Sequence, residues 1–219
     1  MRFNEQGRSM IEMLGVLAIV GVLSVGGIAG YSKAMNKFKT NKLIEQVNMI
    51  STNVRTLYAS QRSYDGLTNG AAIRTGVLPN EMVSDASANT SLASGGITNA
   101  FAGNVKIATG GVKEDDDNGA FILSMDKIPE AACVSIATTE WGGDAGGGLL
   151  AIGILGGDDG AADDAVGTLA ESLAAADLSG VTDTFTVDGT PGDDGLPVGV
   201  VKAAAICKGA ENVIAWKYM

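Results

Sequence analysis

Histidine is absent from the 219 residues, and aromatic side chains make up only 5% of them. The first absence removes the commonest general base and the commonest metal ligand, which argues against most enzyme chemistry. The second leaves little aromatic surface of the kind on which nucleic acid bases stack. The sequence therefore predicts no catalytic residues, no metal site and no cofactor, and it predicts a function other than that of an enzyme.

The charge of the chain is unevenly distributed. The formal net charge is −10, with a balance of +5 in residues 1–62 and −15 in residues 63–219. An acidic surface repels phosphates, so nucleic acid is not an expected partner of the second part of the chain. A basic stem followed by an acidic, soluble head is the simplest interpretation of this pattern.

The acidic residues of the second part form four short clusters. Oxygen ligands suit calcium, but none of the clusters has the spacing of a helix-loop-helix calcium loop. Solvated turns are the preferred interpretation and a calcium site stays open as the alternative. The clusters are Glu114–Asp117, Asp158–Asp159, Asp163–Asp164 and Asp193–Asp194.

Cysteine is scarce as well, since the chain has only Cys133 and Cys207. An even pair in an exported domain indicates one disulfide, because such domains mature in an oxidising compartment. Two buried free thiols are the alternative.

The segment from Met10 to Tyr31 is apolar with one clear interruption, Glu12. Twenty-two helical residues span about 33 Å, which matches the hydrocarbon thickness of a bilayer. A secretory signal has a shorter apolar stretch with the small residue of the cleavage site after it, whereas here Gly7 comes before it. A carboxylate in a membrane segment indicates a functional role for Glu12, and the alternative is a side chain that reaches the membrane surface.

Beyond Tyr31 the sequence becomes amphipathic, with apolar residues at helical spacing and lysines or arginines between them. No proline precedes Pro79. We therefore predict one continuous helix from about Ser9 to about Ser63, with Gly66 as its stop. Only the second half has a one-sided apolar stripe, so that half is expected to pack on a sheet.

The stretch QGRSMIEMLGVLAIVGVLS resembles the cleavage and assembly signal of type IV prepilins and pseudopilins. The resemblance implies cleavage after Gly7, a new N-terminus at Arg8 that the family usually methylates, and a glutamate fifth in the mature chain, which is Glu12. The family usually has an apolar residue at the new N-terminus, and Arg8 departs from this. A filament neighbour shifted by about one helical turn would bring its N-terminal amine to Glu12, and the penalty for an unpaired charge would set the register.

The same resemblance implies an α+β fold, in which a long N-terminal helix, transmembrane in its first half, packs on an antiparallel sheet with a disulfide-closed C-terminal region. The head matches the type IVb branch best, which implies a Cys133–Cys207 disulfide. The domains are then a leader peptide (1–7), a transmembrane assembly helix (8–31), the amphipathic half of that helix (32–63) and a globular head (64–219).

Within the head, local patterns predict individual elements. Residues 66–100 are expected to form a loop with one short helix near Pro79–Val83. The glycine- and aspartate-rich segments Gly142–Gly160 and Val187–Gly199 are expected on an exposed, variable face. The other predictions are strands Asn104–Thr109, Ala120–Met125, Thr182–Val187 and Asn212–Tyr218, a helix Pro129–Thr138, and a helix Asp163–Asp177 capped by Asp163.

The predicted function is a structural subunit of a type IV pilus-like filament, used for adhesion, motility or transfer of DNA or protein. The implied partners are copies of itself, the membrane, a prepilin peptidase, and the assembly platform with its ATPase. The precursor is expected in the inner membrane and the filament outside the cell or in the periplasm. One alternative is a pseudopilin of a type II secretion system. Another is a single-pass, membrane-anchored binding protein, which would not need Gly7 and Glu12 at this spacing.

Overall fold

The computed structural model describes residues 10–83, 96–112, 118–141, 147–157, 164–175, 178, 183–186 and 195–219. The chain divides into two units at the junction between Phe38 and Lys39. Besides a 3₁₀ turn at Asn80–Met82, the elements in chain order are α1 (Met10–Tyr58), α2 (Asn69–Thr75), β1 (Val105–Gly110), β2 (Ala120–Ile128), α3 (Glu130–Ala137), β3 (Leu149–Leu155), α4 (Ala165–Ala174), β4 (Thr184–Thr186), α5 (Val200–Ile206) and β5 (Asn212–Tyr218).

Helix α1 is 49 residues long, and its second half carries the predicted one-sided stripe. The members of this stripe recur at spacings of four, three and four residues, which places them on one side of a helix. All are fully buried in the main core of the head: Leu43, Val47, Ile50 and Val54. The prediction that this half of the helix packs on the sheet is confirmed, because the same core contains side chains of β2 and β5.

The helix ends five residues before the predicted Ser63. The N–H of Gln61 donates to the carbonyl of Tyr58 at 2.8 Å, which closes a turn directly after the last helical residue. Tyr64 then packs its ring against Tyr58, with centroids 5.3 Å apart, and against Phe121, with centroids 5.0 Å apart. These aromatic contacts require the chain to reverse, so tertiary packing ends the helix earlier than the local sequence predicts.

The five strands are antiparallel and lie in the order β1-β2-β5-β3-β4. Alternate side chains of the central strands belong to two different cores, as the two-residue period of a strand requires. Leu123 and Trp216 join the core that contains the α1 stripe. Ile122 and Ala215 join a second core that is built on helix α4. The sheet is therefore covered on both faces.

Most of the predicted strands and helix α3 are confirmed to within a few residues, and β5 matches its prediction, Asn212–Tyr218, at both ends. Strand β2 is longer than predicted because it continues past Met125 to Ile128 through an irregularity in its pairing with β5. Lys127, inside this irregularity, has a φ of 57°. A local pattern search stops at such an interruption, since the alternation of side chains is broken there.

Strand β3 corrects one prediction. Gly142–Gly160 was expected on an exposed face, but Leu149–Leu155 within it forms a strand between β5 and β4, and most of its residues are buried. A Cβ added to Gly153 would lie 2.6 Å from a methyl of Leu173 on α4. Gly153 therefore belongs to a packed interface between the sheet and helix α4. In the sequence it resembled a loop residue because it lies among other glycines.

Helices α2 and α5 were not predicted. Helix α2 falls in the stretch expected to be a loop, although the expected short helix near Pro79–Val83 is present as the 3₁₀ turn. Capping residues mark both ends of α2. The Thr68 side chain accepts a hydrogen bond from the N–H of Ala71, and Gly76 follows the helix with a φ of 69°. Thr68 and Gly76 are therefore the sequence signal that marks the two ends of this helix.

Helix α4 is shorter than the predicted Asp163–Asp177. It begins after Asp164, which has a φ of 59° and makes no side-chain capping bond. The predicted cap, Asp163, lies outside the described residues. The helix ends at Ala174, whose carbonyl accepts a hydrogen bond from the N–H of Gly111, and Ala175 then becomes extended. The helix is thus bounded by its contact with the end of β1.

Candidate assembly site on the first half of helix α1

The first half of helix α1 has an apolar surface that no described part of the protein covers. An 18-residue window of the helix has a mean hydropathy of 2.2, and none of that window is buried. The large apolar side chains from Met10 to Val25 are exposed, Leu17 for example by 66%. A continuous apolar surface of this extent indicates contact with a membrane or with other protein chains. By length and composition this is the one described helix that could cross a membrane.

Glu12 lies in the first turn of α1, where the helix dipole favours a negative charge. Its neighbours Ile11 and Met13 are apolar and exposed. The first basic residue that follows it in the sequence is Lys33, which is about 32 Å further along the helix at 1.5 Å per residue. Within the described residues of its own unit, therefore, Glu12 has no cation in reach. Gly7 and Arg8, the predicted cleavage residues, lie outside the described residues.

Glycines give the same segment sites of close approach. A Cβ added to Gly15 or to Gly21 would meet nothing within 4 Å, and the same holds at Gly26, Gly27 and Gly30. The protein's own packing therefore does not require these glycines. Small residues on an apolar helix allow a neighbouring helix to come close, which is a recurring feature of helix packing inside membranes.

The second half of α1 is fixed to the head by polar contacts that the sequence did not reveal. Gln46 is buried, its amide donates to Glu81 at 3.3 Å, and its oxygen accepts from the N–H of Ala100 at 3.2 Å. Lys42 forms an ion pair with the same Glu81 at 3.1 Å. Both contacts join the helix to segments that follow it by tens of residues in the sequence.

The disulfide of the head joins Cys133 on α3 to Cys207, which directly follows α5. Both cysteines are fully buried and their Cα atoms lie 5.8 Å apart. The predicted pairing is confirmed. Asn212 fixes the chain beside it, since its amide donates to the carbonyl of Ile128 and its oxygen accepts from the N–H of Lys208, both at 2.8 Å.

Lys217 is an unexpected buried cation. It lies on β5, is only 1% exposed, and its ammonium donates to the carbonyl of Ala175 at the C-terminal end of α4. Burial lowers the pKa of Lys217 to about 8. A cation at a helix C-terminus interacts favourably with the helix dipole, which offsets part of the cost of burial.

A metal centre is not present among the described residues. No group of three His, Cys, Asp or Glu side chains in this part of the chain could hold a metal ion. Of the acidic clusters considered for calcium, only Asp164 falls within the described residues.

A long N-terminal helix, exposed and apolar in its first half and packed on an antiparallel sheet in its second, together with a disulfide that joins the helix after the second strand to the segment before the last strand, defines a type IV pilin. The sequence model of the PilS family, described as PilS N terminal, matches residues 37–217, and the chain belongs to that family.

Two curated relatives agree with this assignment, and one solved structure shows the same fold. The major structural subunits of the bundle-forming pilus from Escherichia coli O127:H6 and O111:H- are each 28% identical over 143 residues, which cover 65% of this chain and 69% of the relative. The crystal structure of TcpA, a type IV pilin from Vibrio cholerae El Tor biotype, is similar with a TM-score of 0.53 and 17% identity, over 83% of this chain and 99% of that chain. The type IVb pilin from Salmonella typhi gives a TM-score of 0.48 and 18% identity, over 81% and 98%.

The relatives identified by sequence are structural subunits of a fibre, in agreement with the prediction that this protein is not an enzyme. The similarity to TcpA shows the fold, and the long helix, antiparallel sheet and disulfide are as predicted. The assignment to the type IVb branch stays a prediction.

Proposed function

We propose that the chain is made as an inner-membrane precursor, is cleaved after Gly7, and polymerises through the first half of helix α1 into a surface fibre. The exposed apolar helix surface supports this, because it requires lipid before assembly and other helices after it. The relatives named as major subunits of a bundle-forming pilus favour a fibre over a short periplasmic piston. Adhesion, motility and transfer of DNA or protein are the uses open to such a fibre.

The observation that carries the proposal is the isolated position of Glu12. It is the only acidic residue from Met10 to Phe38, and its own described unit offers it no nearby cation. In an apolar environment an unpaired carboxylate is costly, so a packing arrangement that supplies a cation is selected over others. The N-terminal amine created by cleavage before Arg8, on a neighbouring copy, is the proposed cation, and the guanidinium of that Arg8 is the second candidate. Methylation of that amine keeps its positive charge.

The proposal also defines partners and locations. A prepilin peptidase removes residues 1–7, and an assembly platform with its ATPase extracts the subunit from the membrane. The precursor then lies in the inner membrane and the assembled chain outside the cell. Processing is tested by intact mass and N-terminal sequencing of the mature protein. Loss of residues 1–7 is expected, whereas a mature chain that begins after Ser24 or later would mean that an ordinary signal peptide is removed with the apolar segment.

Assembly is tested by substitution of Glu12 in the full-length chain. Glu12→Ala is expected to abolish or sharply reduce fibres recovered by shearing, with mature subunit still present, because charge pairing and register are lost together. Glu12→Asp is expected to assemble in part, since the charge remains but its reach is shorter. Glu45→Ala is the matched control, because Glu45 is exposed on the same helix but lies in the head unit. Normal fibres from Glu12→Ala would overturn the pairing argument.

A further inference from the structure

Strand β1 is an edge of the sheet, and its free side carries backbone groups that do not pair with β2. Asn69, the first residue of helix α2, contacts two of them. Its amide nitrogen donates to the carbonyl of Val105 at 2.9 Å, and its oxygen accepts from the N–H of Ile107 at 2.7 Å. Asn69 is only 7% exposed, so both bonds are shielded from water.

These two bonds use backbone groups that a neighbouring strand would need. A side-chain amide has the same donor and acceptor as a peptide group, and Val105 and Ile107 are two residues apart, so their backbone groups point to the same side of the strand. Asn69 therefore occupies two outward-pointing backbone groups that two residues of an additional antiparallel strand would otherwise bond. Just beyond the other end of β1, the N–H of Gly111 is bonded to the carbonyl of Ala174.

The geometry of α2 holds Asn69 in this place. Thr68 caps the start of the helix and Gly76 ends it, so the length of the helix is fixed at seven residues. Gly70 and Ala72 are buried, and their small side chains allow the backbone of the helix to lie close to the rest of the head. Asn69 is neither a helix-capping residue nor a surface residue, and its bonds to β1 account for a polar side chain in a buried position.

An open edge here would suit a second copy of the same chain. Val105 and Ile107 are apolar, and two β1 strands paired antiparallel about Ile107 would set Lys106 opposite Ala108, so that no like charges face each other. Unprotected edges with this character are sites of unwanted strand pairing between molecules. Subunits that are concentrated in a membrane or fibre meet such edges often.

We propose that Asn69 closes the β1 edge to strand pairing with a second copy of this chain, so that copies associate through helix α1 and not through their sheets. The inference uses the head alone and does not depend on the pairing of Glu12. Its consequence is specific: removal of the Asn69 amide should create a dimer in which the backbone N–H of Ile107 is protected by the partner strand.

The experiment uses the full-length chain in detergent micelles. Asn69→Leu keeps the size of the side chain and removes both bonds, and Asn69→Asp keeps the acceptor for Ile107 but loses the donor to Val105. Asn53→Leu is the matched control, because Asn53 also donates to a backbone carbonyl, that of Val77 at 2.9 Å, but away from any sheet edge. Association through α1 is common to all of these chains, so differences between them report on the head.

Mass is measured by light scattering across a range of concentrations, and amide exchange is measured at Ile107. Asn69→Leu is expected to form a concentration-dependent dimer, with the Ile107 amide exchanging roughly tenfold faster than in wild type when dilute and becoming protected again in the dimer. Asn69→Asp is expected to dimerise less, and Asn53→Leu no more than wild type. Monomeric Asn69→Leu and Asn69→Asp, or a dimer in which Ile107 stays unprotected, would overturn the proposal. If Asn69→Leu does not fold, Asn69→Asp alone decides between these outcomes.

Discussion

The two halves of helix α1 share one backbone conformation but differ in what stabilises them. From Met10 to Tyr31 the helix is apolar on all sides apart from Glu12, and its large apolar side chains are exposed. From Lys39 to Tyr58 a single stripe of apolar residues is fully buried in the head, whereas Met49 and Leu57 on other sides of the helix are exposed. Apolar composition alone therefore does not tell where a segment will be buried. The periodicity of the composition does, because a stripe matches one protein surface and an all-round apolar helix requires lipid or several neighbouring helices.

The difference extends to the polar residues. In the second half, Thr40, Gln46 and Ser51 are buried, and the Gln46 amide has partners from two later segments. In the first half the one acid, Glu12, has no such partner among the described residues. Packing in the head is specified within one chain, whereas packing of the first half has to be completed by other molecules.

The largest expected effect comes from the disulfide, which restrains the head and not the first half of the helix. Cys133 and Cys207 are separated by 74 residues, a loop whose closure stabilises by about 4 kcal/mol in the chain-entropy model. Cys207→Ser is expected to lower the free energy of unfolding of the head by roughly 2–5 kcal/mol in denaturant titrations. The Cys133→Ser/Cys207→Ser double variant is the control and should match it. A loss below about 1 kcal/mol would mean that packing alone holds the loop.

A matched pair of substitutions compares the two halves directly. Ile50 is fully buried and Ile19 is 62% exposed, and both lie on α1. Ile50→Ala should destabilise the head by about 3 kcal/mol, because it removes buried methyl groups and leaves a cavity. Ile19→Ala should change head stability by less than about 0.5 kcal/mol. Denaturant unfolding followed by the fluorescence of buried Trp216 measures both. A comparable loss in the two variants would show that the stability of the head also depends on the first half of the helix.

The sequence was sufficient wherever a local pattern or a specific motif carried the information. The apolar run, the stripe of α1 and the short apolar stretches between turn residues that form β1, β2 and β5 are local features, and each predicted its element. The Cys133–Cys207 pairing came from the resemblance to known pilins, since two cysteines by themselves also allow free thiols. Strand β3 was missed because glycine-rich segments flank it on both sides and because Gly153 inside it resembles a loop residue.

The polar contacts that fix the head could not be predicted from local sequence. Asn69 bonds to a backbone carbonyl 36 residues away, Gln46 to an N–H 54 residues away, and Lys217 to a carbonyl 42 residues away. Each partner is a backbone group, which every residue type supplies. No residue pattern marks such a pair before the fold has brought the two segments together.

Lys217 provides an intermediate effect that is confined to the head. Burial lowers its pKa in the folded state to about 8, below the ordinary value of 10.5, so the folded state binds this proton more weakly than the unfolded state does. The penalty is complete below about pH 8 and is relieved as the pH rises from there, because the folded state then loses the proton first. This group alone should therefore raise stability by on the order of 2 kcal/mol between about pH 7.5 and 9.5.

Lys217→Met tests this expectation through the pH dependence of unfolding. The variant should lack the rise in the free energy of unfolding between about pH 7.5 and 9.5. This expectation holds even if loss of the bond to Ala175 lowers its stability at neutral pH. Burial raises the pKa of Tyr64 and of Tyr218 above the ordinary value of a tyrosine. Ionisation of these tyrosines therefore destabilises the folded state only at a pH above the range used here. Lys106→Met serves as a control for the loss of one positive charge, since Lys106 is half-buried. An unchanged pH profile in Lys217→Met would contradict the lowered pKa.

The smallest effects come from the contacts that fix the second half of α1 to the head, and they distinguish a buried amide from an exposed ion pair. Lys42 and Glu81 form their ion pair with 34% and 50% of their side chains exposed, so water and salt screen most of the attraction. Lys42→Met should therefore cost at most about 1 kcal/mol. Gln46→Met should cost about 1–2 kcal/mol, because it leaves the N–H of Ala100 without the amide oxygen that it bonds.

Salt separates the two contributions more sharply than their size does. At about 1 M salt the screening length falls to about 3 Å, so the cost of Lys42→Met should vanish. The cost of Gln46→Met should persist, because a neutral hydrogen bond inside the protein is not screened. Denaturant unfolding of both variants at low and high salt measures the difference. If the cost of Gln46→Met also disappeared in salt, the amide would act only by orienting Glu81 toward Lys42, and the helix would be held to the head by charge and by its apolar stripe alone.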